Sequence, residues 1–245
     1  MNGAAAAPLL DLRGLHKRYG ALRVVDDVSL AVSAGETLGI IGPNGAGKTT
    51  LFNLIGGDVV ADEGHVIFRG EDVTRLRPHA RCRRGIGRAY QVALPFGGLT
   101  VFENLLAAAT FGGKLRRREA ERAAVDALLL AELGPKANRL AGSLTLLDRK
   151  RLEMARALAT NPELLLLDEI AGGLTEHEAH EVVAMVRAIG GRGVAIVWIE
   201  HVVHAVLAVA TRLFVLSDGR ELAQGDPHDV IASDAVRRVY LGLEA

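Results

Sequence analysis

A glycine-rich segment between an apolar run and a helix-forming run contains the residue types that bind phosphate groups. It fits the pattern G-x-x-x-x-G-K-[ST] and comprises Gly42, Pro43, Asn44, Gly45, Ala46, Gly47, Lys48, Thr49 and Thr50. Glycines leave backbone N–H groups uncovered, and the start of the next helix adds partial positive charge, so the loop can surround phosphate oxygens. Lys48 is expected to reach the β- and γ-phosphates and the Thr49 hydroxyl to hold Mg²⁺. The segment predicts a nucleoside triphosphate site; the alternative is a glycine turn that precedes a helix by chance.

Two adjacent carboxylates follow a run of leucines later in the chain. Asp168 ends the apolar run 164–167, and Glu169 comes directly after it. A continuous apolar run of this length predicts a central buried strand. At its end, Asp168 is expected to hold the hydration shell of Mg²⁺, and Glu169 could polarise the attacking water. An apolar-Asp-Glu sequence is a weak signal by itself, but downstream of the phosphate-binding segment it predicts hydrolysis.

Three further side chains have more than one interpretation. His201 follows a predicted strand and could reach a γ-phosphate, although a histidine at a strand end is commonly structural or simply exposed. Gln91 ends a short predicted strand and is unremarkable by itself. Tyr19 follows the first predicted strand and could stack on a base, with packing in the core as the alternative.

The elements that must position these groups alternate between strands and helices. Strands are predicted at 9–18, 24–30, 37–41, 64–68, 86–91, 164–167 and 194–199, with a hairpin of 214–216 and 220–223. Helices are predicted at 49–55, within 101–133, at 149–159 and at 176–189. Alternation of this kind favours an α/β fold with a mainly parallel sheet. The helical middle interrupts the alternation, so it is expected to be a subdomain inserted between two strands of that sheet.

Composition excludes several classes of function. The formal net charge is zero and the pI is about 7.1, which gives no electrostatic case for binding nucleic acid. No apolar run approaches the roughly 20 residues of a spanning helix, so a membrane link is expected to go through a protein partner. Cys82 is the single cysteine, which fits a reducing cytoplasm. Residues 1–8 are expected to be a disordered lead before a single domain at 9–245.

The order and spacing of these groups resemble the ATP-binding subunits of ABC transporters. The matching positions are Tyr19, the segment from Gly42 to Thr50, Gln91, the run ending in Asp168 and Glu169, and His201. The resemblance implies ATP and Mg²⁺ as ligands and a P-loop NTPase fold. That fold has a RecA-like core, an antiparallel β-subdomain and an inserted helical subdomain at about 95–155. It also implies that Gln91 contacts Mg²⁺ and couples to a membrane subunit, and that His201 contacts the γ-phosphate.

Finer features are similar to the ATPases of branched-chain amino-acid importers. They lie at 101–105, 151–162, 171–175, 199–201 and 239–242. The similarity implies a second, different ATPase subunit, two transmembrane permease subunits and a periplasmic or extracellular substrate-binding protein. It implies a peripheral location on the cytoplasmic face of the bacterial inner membrane. Importers of urea, amides or other substrates would look alike at this level.

The chain departs from the family in one loop. The signature Leu-Ser-Gly-Gly-Gln is represented by Leu144, Thr145, Leu146, Leu147 and Asp148. In the family this loop approaches ATP held by the opposite subunit, where leucines would obstruct the backbone and Asp148 would place negative charge near a triphosphate. We therefore expect an asymmetric heterodimer in which this chain supplies the more competent Walker motifs. The alternatives are that the altered loop works through its backbone N–H groups and Thr145, that the chain is a weakly hydrolysing nucleotide-gated subunit, or that it is a soluble ABC ATPase.

Overall fold

The computed structural model describes residues 7–241, so residues 1–6 of the expected lead and the end of the 239–242 motif lie outside it. Two sheets organise this part of the chain. The smaller sheet is antiparallel with strand order β2-β1-β4-β5. Its strands are β1 (Leu10–Tyr19), β2 (Leu22–Val32), β4 (Glu63–Phe68) and β5 (Glu71–Asp72). It is the antiparallel β-subdomain that the sequence predicts near the N-terminus.

The larger sheet has six strands in the order β10-β9-β3-β8-β7-β6. Its strands are β3 (Thr37–Ile41), β6 (Ile86–Ala89), β7 (Leu164–Asp168), β8 (Ala195–Ile199), β9 (Arg212–Ser217) and β10 (Arg220–Gly225). All neighbours run parallel except the β9–β10 hairpin at one edge. The α/β class and the mainly parallel sheet are therefore confirmed.

The central strands are buried on both faces because their side chains alternate between two hydrophobic clusters. Leu165 and Leu167 of β7 face a cluster formed with the later helices, whereas Leu164 and Leu166 face a cluster shared with the antiparallel sheet. Strand geometry sends successive side chains to opposite faces, so a run of four leucines serves both layers. Because β7 packs on both faces, its carboxyl end, with Asp168, is held in place by two hydrophobic layers.

The helices are α1 (Lys48–Gly56), α2 (Pro78–Cys82), α3 (Val101–Ala107), α4 (Arg117–Leu130), α5 (Leu146–Ala159), α6 (Glu176–Gly190), α7 (Val203–Leu207), α8 (Pro227–Ala232) and α9 (Asp234–Leu241). The helical segment predicted within 101–133 is divided. A π-helical turn at Ala108–Gly112 follows α3, and α4 begins only at Arg117. The chain packs closely at Gly113, next to this turn. A side chain there would place its Cβ 2.9 Å from two backbone carbonyl oxygens, so the position favours glycine.

Helix α5 begins three residues earlier than predicted. Thr145 caps it, because its hydroxyl oxygen accepts a hydrogen bond from the Asp148 N–H at 3.3 Å. Leu146 and Leu147 are therefore in the first turn of the helix rather than in a loop. Within residues 7–241, no helix is long and apolar enough to cross a membrane.

Candidate nucleotide and hydrolysis site

Four adjacent parallel strands end at the carboxyl edge of the larger sheet, and a predicted site residue lies at or just after the end of each. Gly42 follows β3, His201 comes shortly after β8, Asp168 ends β7, and Gln91 comes two residues after β6. Ligands of open α/β sheets bind outside the carboxyl ends of the strands. The topology thus brings together groups that are far apart in the sequence.

The glycines at both ends of the phosphate-binding segment are required by close backbone approaches. Gly47 has φ 98°, and a Cβ there would lie 2.3 Å from the carbonyl oxygen of Val24 in β2. A Cβ on Gly42 would lie 2.1 Å from the carbonyl oxygen of Leu216 in β9. Neither position accepts a side chain without displacing a strand, so these two glycines fix the loop against both sheets.

The loop leads into a helix start that has no side-chain cap. Gly47 occupies the N-cap position of α1 and makes no capping bond, which leaves the first-turn N–H groups for an outside acceptor. Asn44, Gly45 and Thr49 are exposed, Pro43 and Thr50 are half-buried, and Ala46 is buried. The exposed Thr49 hydroxyl lies in the first turn of α1.

The Lys48 side chain is buried within the loop itself. Its Nζ donates to the carbonyl oxygens of Gly42 at 2.7 Å and Pro43 at 2.9 Å. Burial lowers the pKa of Lys48, and the nearby Glu169 carboxylate opposes that shift. The ammonium has three donors, so it can exchange loop carbonyls for phosphate oxygens without leaving the site.

Glu169 forms a cluster with two of the predicted residues. Its carboxylate accepts a hydrogen bond from the Gln91 side-chain amide at 2.5 Å, and the His201 Nδ1 lies 3.7 Å away. Glu169 has φ 46°, an unfavourable conformation for a residue with a side chain. Its N–H donates to the Ile199 carbonyl at 2.9 Å, which ties this turn to β8. The hydrogen bond to β8 thus helps to hold Glu169 in this conformation.

Arg88 is a residue of this site that the sequence did not reveal. It lies in β6, and its guanidinium donates to Asp168 at 2.7 Å, to Asp58 at 2.7 Å and to Asn53 at 2.9 Å. Both Arg88 and Asp168 are more than nine-tenths buried. A charged residue within an otherwise apolar strand is the signal that could have indicated a buried partner, although not which partner.

Glu200 is a second such residue. It is fully buried, and its carboxylate accepts hydrogen bonds from the N–H groups of Ala171 at 2.7 Å and His201 at 3.2 Å. Burial raises the pKa of Glu200, and the backbone donors oppose that shift. It therefore joins the turn after Glu169 to the turn that carries His201. A carboxylate at the end of an apolar strand was visible in the sequence, but its direction was not.

Tyr19 lies at the end of β1 with about half of its side chain exposed, which excludes the alternative of core packing. The Lys17 Nζ is 5.7 Å from the centroid of the Tyr19 ring.

Magnesium prefers oxygen ligands such as hydroxyls, carboxylates and amide oxygens. The side chains of Thr49, Asp168 and Gln91 supply one of each, so the residues present fit this ion.

The segment 144–148 differs from the expectation at Asp148. The sequence suggested that its charge faces a triphosphate. Instead, the carboxylate is buried, and it accepts hydrogen bonds from Lys136 at 2.6 Å and from the Thr145 hydroxyl at 3.0 Å. That expectation was wrong because Lys136 neutralises the charge from a separate segment. Leu146, in the first turn of α5, is half exposed and lies near Gly173.

Comparisons with known proteins agree with this arrangement. The sequence pattern of the family described as "ABC transporter" matches residues 25–172. A "Probable ABC transporter ATP-binding protein" of Azorhizobium caulinodans is 41% identical over 243 residues, covering 98% of this chain and 85% of the relative. The "Lipopolysaccharide export system ATP-binding protein LptB" of Escherichia coli K12 is 37% identical over 233 residues, covering 95% of this chain and 97% of the relative.

Solved structures give the same result for the fold. The ADP conformation of MJ1267, an ATP-binding cassette of an ABC transporter, superimposes with a TM-score of 0.89 at 31% identity. That match covers 97% of this chain and 100% of MJ1267. A nucleotide-free ATP-binding cassette from an ABC transporter matches with a TM-score of 0.87 at 31% identity, covering 96% of this chain and 100% of the other.

The fold and the site define a P-loop ATPase, and the chain belongs to the ABC transporter family as an ATP-binding subunit. It is therefore an ATPase that acts with transmembrane permease subunits.

Proposed function

We propose that the chain hydrolyses ATP at the carboxyl edge of its parallel sheet to power an importer of branched-chain or related amino acids. The observation that carries the hydrolytic part is the cluster of Gln91, Glu169 and His201 beside the phosphate-binding segment. The importer part is supported by the resemblance of the shorter motifs along the chain.

We assign a role to each side chain from its position. Lys48 and the segment from Gly42 to Thr50 bind the phosphates, the segment through its backbone N–H groups except at Pro43, which has none. Tyr19 stacks on the base. Thr49, Asp168 and Gln91 hold Mg²⁺, partly through water. That ion, when bound, neutralises charge that develops on the phosphates. Glu169 and His201 act on the attacking water and the γ-phosphate.

The proton and charge requirements of hydrolysis fit the groups around Glu169. One carboxylate oxygen accepts from the Gln91 amide, which leaves the other to orient a water molecule. His201 is half exposed at the mouth of the site, where it can donate to a γ-phosphate oxygen. Lys48, already turned inward between loop carbonyls, adds a positive charge that stabilises the transferred group.

A second candidate substrate is lipopolysaccharide, because the relative named for its export is 37% identical over almost the whole chain. Export and import ATPases share the hydrolytic groups, so Glu169 or Lys48 does not distinguish them. The ligand site lies in other polypeptides, and the interacting membrane subunits decide between the two candidates.

The test is reconstitution of the chain in proteoliposomes with the permease subunits and second ATPase encoded beside its gene. We expect uptake of labelled leucine and ATPase stimulation by the leucine-loaded binding protein, both lost in Glu169→Gln. If only urea or an amide stimulates the ATPase, the assignment to an importer holds but the substrate is not an amino acid. If only lipopolysaccharide stimulates the ATPase, the assignment to an importer is wrong and the chain serves an exporter.

We further propose that the chain pairs with a different ATPase on the cytoplasmic face of the inner membrane, with residues 95–155 as its helical subdomain. Leu146 and Leu147 stand where the family has glycines, and the half-exposed Leu146 obstructs close approach of a partner's nucleotide. Asp148 adds no repulsion, because Lys136 neutralises it. In this arrangement the site built on Lys48 and Glu169 is the hydrolysing one.

A further inference from the structure

Lys150 is a buried lysine directly behind the hydrolysis site. It lies in the second turn of α5 and is only 4% exposed. Burying an ammonium is costly unless hydrogen bonds compensate for its lost hydration. Its Nζ donates to the carbonyl oxygen of Gln91 at 2.7 Å and contacts the carbonyl oxygen of Glu169 at 3.4 Å. Both acceptors are main-chain atoms of residues whose side chains form the site.

Acidic groups on three elements favour the charged form of this lysine. Burial lowers the pKa of Lys150, and the nearby carboxylates of Glu200, Glu169, Asp168 and Glu153 oppose that shift. The two carbonyl bonds fix the position of the Nζ atom between these segments. The hydrogen bonds of Nζ go instead to the segment after β6, at Gln91, and to the segment after β7, at Glu169.

The two loops held by Lys150 meet again through their side chains. The Gln91 amide donates to the Glu169 carboxylate at 2.5 Å, and a shift of either backbone would change that contact. Glu169 already has a strained φ of 46°, so its direction depends on its surroundings. Lys150 is the side chain that ties both backbones to α5, the helix that starts at Leu146.

We propose that Lys150 is a positioning residue for ATP hydrolysis, which holds the Gln91 and Glu169 backbones to α5 and thereby aims the Glu169 carboxylate. It acts through those residues and touches no nucleotide. Movement of α5, whose first turn holds Leu146 and Leu147, reaches Glu169 through this ammonium. The inference rests on the ATPase activity of the chain and not on the identity of the transported substrate.

The test compares Lys150→Met with Arg151→Met in the ATP-hydrolysing assembly. Arg151 lies in the same helix and pairs with Glu132 and Glu181, so its loss removes an equal charge from α5. In Lys150→Met we expect kcat to fall on the order of 10- to 100-fold, since a displacement near 1 Å has an effect of this size. ATP Kd, measured with a fluorescent analogue, should change by less than about threefold. Lys150→Arg should recover part of kcat.

A second measurement separates positioning from a merely structural role. If Lys150 acts through Glu169, adding Lys150→Met to Glu169→Gln should lower the residual kcat by less than about twofold, because interacting residues are not additive. Lys150→Gln keeps a side-chain donor and replaces the Met variant if the latter does not fold. The proposal is overturned if kcat per folded molecule stays within about twofold of wild type, or if Arg151→Met loses as much.

Discussion

Arg88→Met removes the buried cation that faces Asp168, and it should destabilise the sheet edge that carries the site. The pair is more than nine-tenths buried on both sides, so solvent compensates little for the lost partner. Breaking a buried pair in this way costs about 3–5 kcal/mol. The additional bond to Asp58 contributes at most about 1 kcal/mol, because that residue is one-third exposed.

This cost is a large share of the free energy of unfolding of a single domain, which is about 5–15 kcal/mol. For a chain of this size it corresponds to a decrease in Tm of roughly 6–20 °C. Arg88→Lys keeps the charge but loses the several hydrogen bonds of the guanidinium and its stacking on Tyr90, whose ring centroid is 4.6 Å away. Its decrease in unfolding free energy should therefore be smaller than that of Arg88→Met.

Urea unfolding followed by tryptophan fluorescence measures this loss directly. Trp198, the single tryptophan, is fully buried in β8 next to β7. In the double variant Arg88→Met with Asp168→Asn the buried charge is gone, and we expect a coupling energy of about 1–3 kcal/mol. A loss below about 1 kcal/mol in Arg88→Met would refute the reasoning, because it would mean that Asp168 needs no buried partner.

Three other perturbations follow from the contacts of the site. Lys48→Ala should raise the Kd for ATP about 10- to 100-fold, because charge-assisted hydrogen bonds to phosphate are lost; equilibrium binding of a fluorescent analogue measures it. His201→Ala should lower kcat on the order of 100-fold with little change in Kd, because its contact matters most as charge develops; steady-state ATPase and binding assays separate the two. For Glu200, burial raises the folded pKa above the ordinary value of 4.5, so the native state binds more protons than the unfolded state in the pH range around and between these two pKa values. The unfolding free energy of wild type minus that of Glu200→Gln should therefore fall as pH rises through the folded pKa, as measured by urea titrations at several pH values.

For each of these three substitutions, one result would contradict the role assigned to the residue. Unchanged ATP affinity in Lys48→Ala would mean that the ammonium stays with its loop carbonyls. Weaker binding at normal kcat in His201→Ala would make it a binding residue. A difference between wild type and Glu200→Gln that is constant or rises with pH would show that the backbone donors outweigh burial.

The sequence predicted the central strands well because burial on both faces leaves a continuous apolar run. The bounds of β3 are those expected, and β7 extends the expected run only by Asp168. The meeting of Gln91, Glu169 and His201 could be predicted only by resemblance, because it depends on strand order rather than on local pattern.

Other features depended on contacts between distant segments. The direction of Asp148 is set by Lys136, and no local pattern specifies that pair. The roles of Arg88 and Lys150 could not be predicted for the same reason, because their partners lie on other elements. By contrast, the early start of α5 has a local signal in Thr145, because threonine is a favoured N-cap residue.

The most direct test of the account is the Mg-ATPase activity of this chain with the ATPase encoded beside its gene, with one catalytic glutamate changed at a time. We predict strong stimulation over the chain alone, loss with Glu169→Gln in this chain, and substantial activity with the equivalent change in the partner. Full activity of the chain alone, or loss only with the partner's change, would contradict the assignment of hydrolysis to the site built on Lys48 and Glu169.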